Sequence, residues 1–190
     1  MPSMKILLIA GGWSSEREVS LTGARGMQEA LVRRGHAVTF FDLLEHFDDL
    51  LETARQHDFA LINLHGSPGE DGLVQAMLEK ADCPYQGSGP SGSFLALNKA
   101  AAKQIFRMAG LPTADWEFLP VRPAAGWEPR LPWPLFVKST TGGSSSFRNL
   151  VCFQSVYTTS IGKEHDIMMC CCHHQFFNIV IIQCLHSLDS

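Results

Sequence analysis

The sequence lacks a basic excess: 15 Lys and Arg stand against 19 Asp and Glu, a formal net charge of −4 at pH 7. A general nucleic-acid binder shows the opposite balance, so no nucleic-acid partner is expected. It also lacks a long hydrophobic run. The longest strongly apolar stretch, Phe176–Ile182, falls far short of the roughly 20 residues a membrane helix needs, so no membrane partner is expected. The short apolar start, Lys5–Ala10, runs into Gly11-Gly12-Trp13 without a signal-cleavage pattern. It reads as a strand, and a cytoplasmic location is the expectation. Residues 1–151 hold a single cysteine, Cys83, whereas residues 152–190 are poor in charge, with only Lys163, Glu164, Asp166 and Asp189. That tail holds the other five cysteines, Cys152, Cys170, Cys171, Cys172 and Cys184. The two compositions suggest two histories and are read separately.

What is present in the first part is an alternation of strand and helix. Lys5–Ala10 is apolar and stops at a glycine pair, as a buried parallel strand does. Ser15 and Glu18 have the spacing of a capping box, and a helix is predicted from about Ser15 to Arg34. Its apolar positions Val19, Gly23, Met27, Ala30 and Leu31 recur at helical spacing, and Gly35 suits the left-handed cap. Strands are predicted at Ala37–Leu43 and Phe59–Leu64, and helices around Phe47–Ala54 and Val74–Ala81. One longer helix is predicted from about Ser91 to Met108, capped by Gly110 and stopped by Pro112. This order gives an α/β fold: an open parallel sheet flanked by helices on both faces, of the Rossmann-like kind. Pro120–Pro134, with five prolines, reads as a linker. The organisation expected is an α/β domain over 1–120 and a linker over 121–134. The start of a second, sheet-containing domain over 135–151 and a divergent tail over 152–190 complete it.

Ligands of open parallel sheets lie at the carboxyl ends of the strands. Three segments stand there. In Gly11-Gly12-Trp13-Ser14-Ser15-Glu16-Arg17-Glu18, two glycines permit close backbone approach and a helix N-terminus follows. Glu16 could hold an ammonium group or simply complement the helix dipole. The GxGxxG dinucleotide fingerprint is missing, which sets aside an unrelated Rossmann nucleotide binder. In Leu64-His65-Gly66-Ser67-Pro68-Gly69-Glu70-Asp71-Gly72, the imidazole of His65 could meet a ligand's charged oxygen or be a structural histidine. Glu70 and Asp71 read most simply as a helix start, with a paired-carboxylate role as the alternative. In Phe136-Val137-Lys138-Ser139-Thr140-Thr141-Gly142-Gly143-Ser144-Ser145-Ser146, a lysine precedes a loop of small donors that suits phosphate oxygens or serves as a flexible linker. It is not a Walker loop, because Lys138 comes before the glycines. Lys99 and Lys103 read as a solvated helix face.

Together these segments are more specific than any one of them. With Pro84-Tyr85-Gln86-Gly87-Ser88-Gly89, Ala96-Leu97-Asn98-Lys99 and Ala109-Gly110-Leu111-Pro112-Thr113, the chain resembles the D-alanine–D-alanine ligases over about residues 4–151. The resemblance implies an N-terminal domain followed by the opening of an ATP-grasp domain. It implies ATP-dependent joining of two D-alanines through an acyl phosphate for peptidoglycan synthesis, with ATP and magnesium as cofactors and a homodimer as a common state. It assigns Glu16 to the ammonium of the first D-alanine, His65 to the neighbourhood of the reacting carboxyl group and Ser144 to orienting the substrate site. Lys99 and Lys138 are assigned to ATP phosphates, with Gly142, Gly143 and Ser145 in the nucleotide loop.

The sequence departs from the family pattern at three places. Asn98 stands where Asp precedes the first lysine, Ser139 where Pro follows the second, and Phe147 where Gly follows the paired serines. A Phe there impedes close backbone approach to phosphate. From Cys152 onward no resemblance is found, and no magnesium ligand of the family falls within the chain. Cys170-Cys171-Cys172-His173-His174 is contiguous and lacks the paired spacing of a zinc site, so no metal ligand is assigned. The tail reads as the product of a truncation or frameshift. The rival reading is a non-catalytic fragment, a small-molecule- or partner-binding α/β module. Whether the second substrate is D-alanine or D-lactate is left open by these residues.

Overall fold

The computed structural model describes residues 2–121, 127–132 and 135–141, together with the backbone of 150–152 and 179–183. Two compact units divide the chain, and among the described residues they part between Asn98 and Lys99, ahead of the proline-rich stretch.

The first unit is built on a parallel sheet of three strands, β1 Lys5–Ala10, β2 Ala37–Asp42 and β3 Phe59–Ile62, in the order β2-β1-β3. Its central strand is buried along almost its whole length, and the two-residue period sends its side chains to opposite faces. Leu7 and Ile9 enter one core with Leu43, Leu50, Leu64, Val74 and Leu78. Leu8 and Ala10 enter a smaller one with Ala24. Helix α1 (Arg17–Arg33) covers the smaller core, while α2 (Leu43–His46), a 3₁₀ turn (Phe47–Asp49), α3 (Leu50–Ala54) and α4 (Leu73–Lys80) belong to the larger. The expected parallel sheet with helices on both faces is what the chain forms.

Two details of α1 differ from expectation. The helix begins at Arg17, two residues later than expected, with Glu16 in the cap position and making no side-chain capping bond. Instead Ser14 turns the chain: its carbonyl accepts from Arg17 N–H and its hydroxyl from Glu16 N–H, both at 3.2 Å. The face turned inward is Ser20 and Ala24, whereas Val19 is 59% exposed. Small residues one turn apart let the helix lie close to the sheet, which the bulkier predicted stripe would prevent.

The predicted helix Ser91–Met108 is two helices, α5 (Pro90–Leu97) and α6 (Lys99–Met108). Asn98 between them is extended, with ψ 94°, so α5 ends in the first unit and α6 opens the second. There, β4 (Trp116–Leu119), β5 (Leu135–Ser139), β6 (Leu150–Cys152) and β7 (Ile179–Gln183) form an antiparallel sheet in the order β4-β7-β5-β6. Sequence reasoning found neither β4 nor a place for the tail. Ile179–Gln183 lies between two earlier strands, pairing Ile181 with Glu117 on one side and with Val137 on the other. No helix among the described residues is long and apolar enough to cross a membrane.

Candidate functional site

At the carboxyl edge of the first sheet, the chain leaves β1 through Gly11 and Gly12, both with φ near the left-handed value (78° and 75°). A side chain is excluded at Gly11, because a Cβ there would stand 2.5 Å from both the Arg17 guanidinium and the Asp42 carboxylate. At Gly12 it would come within 3.3 Å of Leu64 and 3.5 Å of Pro68. The loop after β1 therefore lies directly against the loop after β3. Glu16 closes the first loop, only 9% exposed, and His65 sits half-buried in the second, next to Gly66 in the left-handed region.

Two residues outside the predicted site bind these loops together. Ser20, fully buried, accepts from Gly11 N–H at 2.8 Å and donates to the Asn63 carbonyl. Asn63 answers by donating its side-chain amide to the Ser20 carbonyl at 2.7 Å, and its own N–H reaches Ile9 at the end of β1. In a dry interior such a reciprocal network fixes geometry, because breaking either partner strands a buried polar group. A third residue, Asp42 at the end of β2, takes both guanidinium nitrogens of Arg17 at 2.7 Å. The hydrogen bonds from Arg17 hold this carboxyl below the usual carboxylate range, with burial opposing and the Leu44 N–H assisting. The one signal that could have found it is an acid closing an apolar strand at the ligand edge.

Glu70 and Asp71 are occupied by the loop itself. Glu70 accepts from Gly66 N–H at 2.8 Å, while Asp71 takes Leu73 N–H at 3.0 Å and the Ser67 hydroxyl. They act as the helix start that the sequence suggested, not as a free carboxylate pair.

The second unit carries the lysines. Lys99 opens α6, and its N–H donates to the Thr140 carbonyl at 2.9 Å, at the end of β5. Lys138 lies on β5 and is half-buried. The Thr140 hydroxyl is buried with no hydrogen-bond partner among the described residues. Neither Lys99 nor Lys103 is on a fully solvated face. Lys103 donates to the Thr113 hydroxyl at 2.8 Å and the Ala114 carbonyl at 2.9 Å. Burial pushes its pKa down, and nearby Arg107 adds to this while Asp115 opposes it. Its ammonium holds the chain leading to β4. Gly142, Gly143, Ser144, Ser145 and Phe147 lie outside the described residues, as does the Cys170–His174 cluster. Among the described residues, no three His, Cys, Asp or Glu side chains gather as a metal site.

An open parallel sheet whose carboxyl edge carries a glycine pair, a buried carboxylate and an imidazole, followed in sequence by an antiparallel sheet bearing lysines, defines the class: an α/β scaffold of two units. Comparison with known proteins narrows it. A D-alanine–D-alanine ligase of Desulfovibrio desulfuricans is 76% identical over 142 residues, covering 75% of this chain and 46% of that protein. One of Lawsonia intracellularis is 57% identical over 148 residues, 78% of this chain and 49% of its own length. A crystal structure of the Bacillus anthracis D-alanine–D-alanine ligase superposes with a TM-score of 0.72 at 28% identity, covering 97% of this chain and 58% of that one. A second structure of that enzyme, complexed with ATP, gives 0.70. No family model matches the chain. Over the matched residues the chain is similar to D-alanine–D-alanine ligases, the resemblance its motifs carry. It spans about half the length of the curated relatives it matches.

Proposed function

We propose that the chain carries the first-substrate half of an ATP-dependent D-alanine–D-alanine ligase. The observation that carries this reading is the packing of Gly12 against Leu64 and Pro68, which sets Glu16 and His65 on loops of one sheet edge. A zwitterionic amino acid needs one anionic and one polar or cationic partner a few ångströms apart. Glu16, largely shielded from water, holds the ammonium group. His65 faces the carboxyl group, where an imidazole can donate a hydrogen bond to an oxygen that gains negative charge.

In the second unit, Lys99 and Lys138 hold phosphate oxygens, and the buried Thr140 hydroxyl, without a partner in the described residues, is a donor of the right kind beside them. ATP, when bound, supplies the phosphoryl group that activates the carboxylate for attack by a second amine. The Gly142-Gly143-Ser144-Ser145 segment, through Ser144, orients the substrate. The described residues form no metal cluster, so no step is assigned to magnesium. Peptidoglycan synthesis, a cytoplasmic location and a homodimer follow from the same family reading.

The test is titration of the chain with D-alanine by calorimetry, for wild type and Glu16→Gln. Loss of the charged partner weakens binding by about 2–5 kcal/mol, while the melting temperature changes by what about 1 kcal/mol or less produces. Unchanged affinity with a lowered melting temperature would make Glu16 a helix-start acid only. D-alanine-dependent phosphate release from ATP then separates ligation from binding alone, and none is expected from this chain by itself.

A further inference from the structure

Asp42 belongs to none of the motifs that carry the family resemblance. Yet it stands at the same sheet edge, one strand over from the loop that bears Glu16. Its carboxylate grips Arg17 with two parallel bonds of 2.7 Å, the geometry in which a guanidinium is held in orientation as well as in place. The same guanidinium reaches back 3.3 Å to the Gly12 carbonyl. Arg17 is the first residue of α1 and Glu16 its cap. Arg17 therefore joins three points: the end of β2, the glycine turn after β1 and the start of the helix.

The pair is well enclosed, with 24% of the Arg17 side chain and 12% of the Asp42 side chain exposed. Gly11 has no room for a Cβ because this pair fills the space. The loop's glycine, its left-handed turn and the ion pair are thus one assembly. Asp42 is itself fixed, since its carboxylate also accepts the Leu44 N–H at 3.1 Å as the cap of α2.

We propose that Asp42 is a positioning residue for the amino-acid site: through Arg17 it sets the backbone of Gly11–Glu16, and so where the Glu16 carboxylate stands. This rests on the reading of Glu16 as the ammonium holder. Asp42 touches no substrate in this account; it acts through Arg17.

The experiment follows backbone amides 11–18 by ¹⁵N NMR in the full 190-residue chain while D-alanine is added, for wild type, D42N, R17K, R17M and the double variant R17M/D42N. Asn keeps the acceptor for Leu44 N–H, so D42N retains the α2 cap while losing the charge and one of the two acceptors that grip Arg17; β1 amides report folding. The expected result is at least tenfold weaker D-alanine binding in D42N and R17M, with the double variant no worse than R17M alone, the non-additivity of residues that act as one. R17K falls between, having charge without the fork. Folded variants that bind D-alanine like wild type would overturn the proposal and leave the substrate reading standing. If wild type itself binds no D-alanine, that reading fails, and the amides decide. Shifts confined to residues 11–18 in D42N uphold the positioning role, and an unchanged loop overturns it.

Discussion

In the first sheet all three strands fall between Lys5 and Ile62, and β1 sits between its two partners. In the second, the strand between β4 and β5 is Ile179–Gln183, which enters from the far end of the chain. The first sheet buries side chains on both faces. In the second unit, Leu135 is the one fully buried large apolar side chain among the described residues, and α6 buries none. The contrast separates a unit whose pairings are closed early by neighbouring segments from one whose centre must wait for a distant strand. Loop-closure entropy makes the second kind slower to form and weaker to hold.

The sharpest way to break this comparison is Ile181→Pro. A central strand uses its N–H groups on both sides, and proline removes one and disrupts the ladder. The second sheet is expected to disappear, seen as loss of exchange protection at Val137–Ser139, while β1 amides keep theirs. Leu78→Ala strikes the other side. Leu78 is fully buried in the larger core, so urea unfolding of the first unit is expected to show a loss of about 2–5 kcal/mol.

A smaller effect belongs to Asp42. Its folded-state pKa is depressed by Arg17, so the unfolded chain binds more protons in the acid range. The contribution is fully present above the ordinary aspartate value of about 3.9 and is lost as pH falls through the depressed one. Urea midpoints across that range are expected to fall for wild type, and less so for Asp42→Asn. The smallest expected change is Ile105→Ser on α6, at a position 42% exposed. It should stay within about 0.5 kcal/mol in urea unfolding of the second unit, as exposed substitutions do.

How legible each region was follows from the same contrast. The parallel sheet could be read from runs such as Lys5–Ala10 because a strand buried on both faces is apolar throughout. The glycine pair and His65 could be placed because strand ends and turns are local signals. The split at Asn98 was not legible, since the apolar spacing from Phe94 to Met108 continues through it and only the extended backbone at that residue breaks the helix. The inward face of α1 was misread because Ser20 is held by hydrogen bonds to Gly11 and Asn63, which hydropathy does not register. Asp42 escaped for a similar reason: its partner Arg17 lies on another element. The role of Ile179–Gln183 depends on partners 40 or more residues away, and no local pattern encodes that.

The central claim is that one sheet edge, bearing Glu16 and His65, holds an amino acid by its charged ends. A crystal structure of the chain soaked with D-alanine tests it most directly. The account predicts the ammonium within hydrogen-bonding distance of the Glu16 carboxylate and the carboxyl group beside the His65 ring. D-alanine found elsewhere, or an empty edge at a concentration that saturates binding in solution, would contradict it.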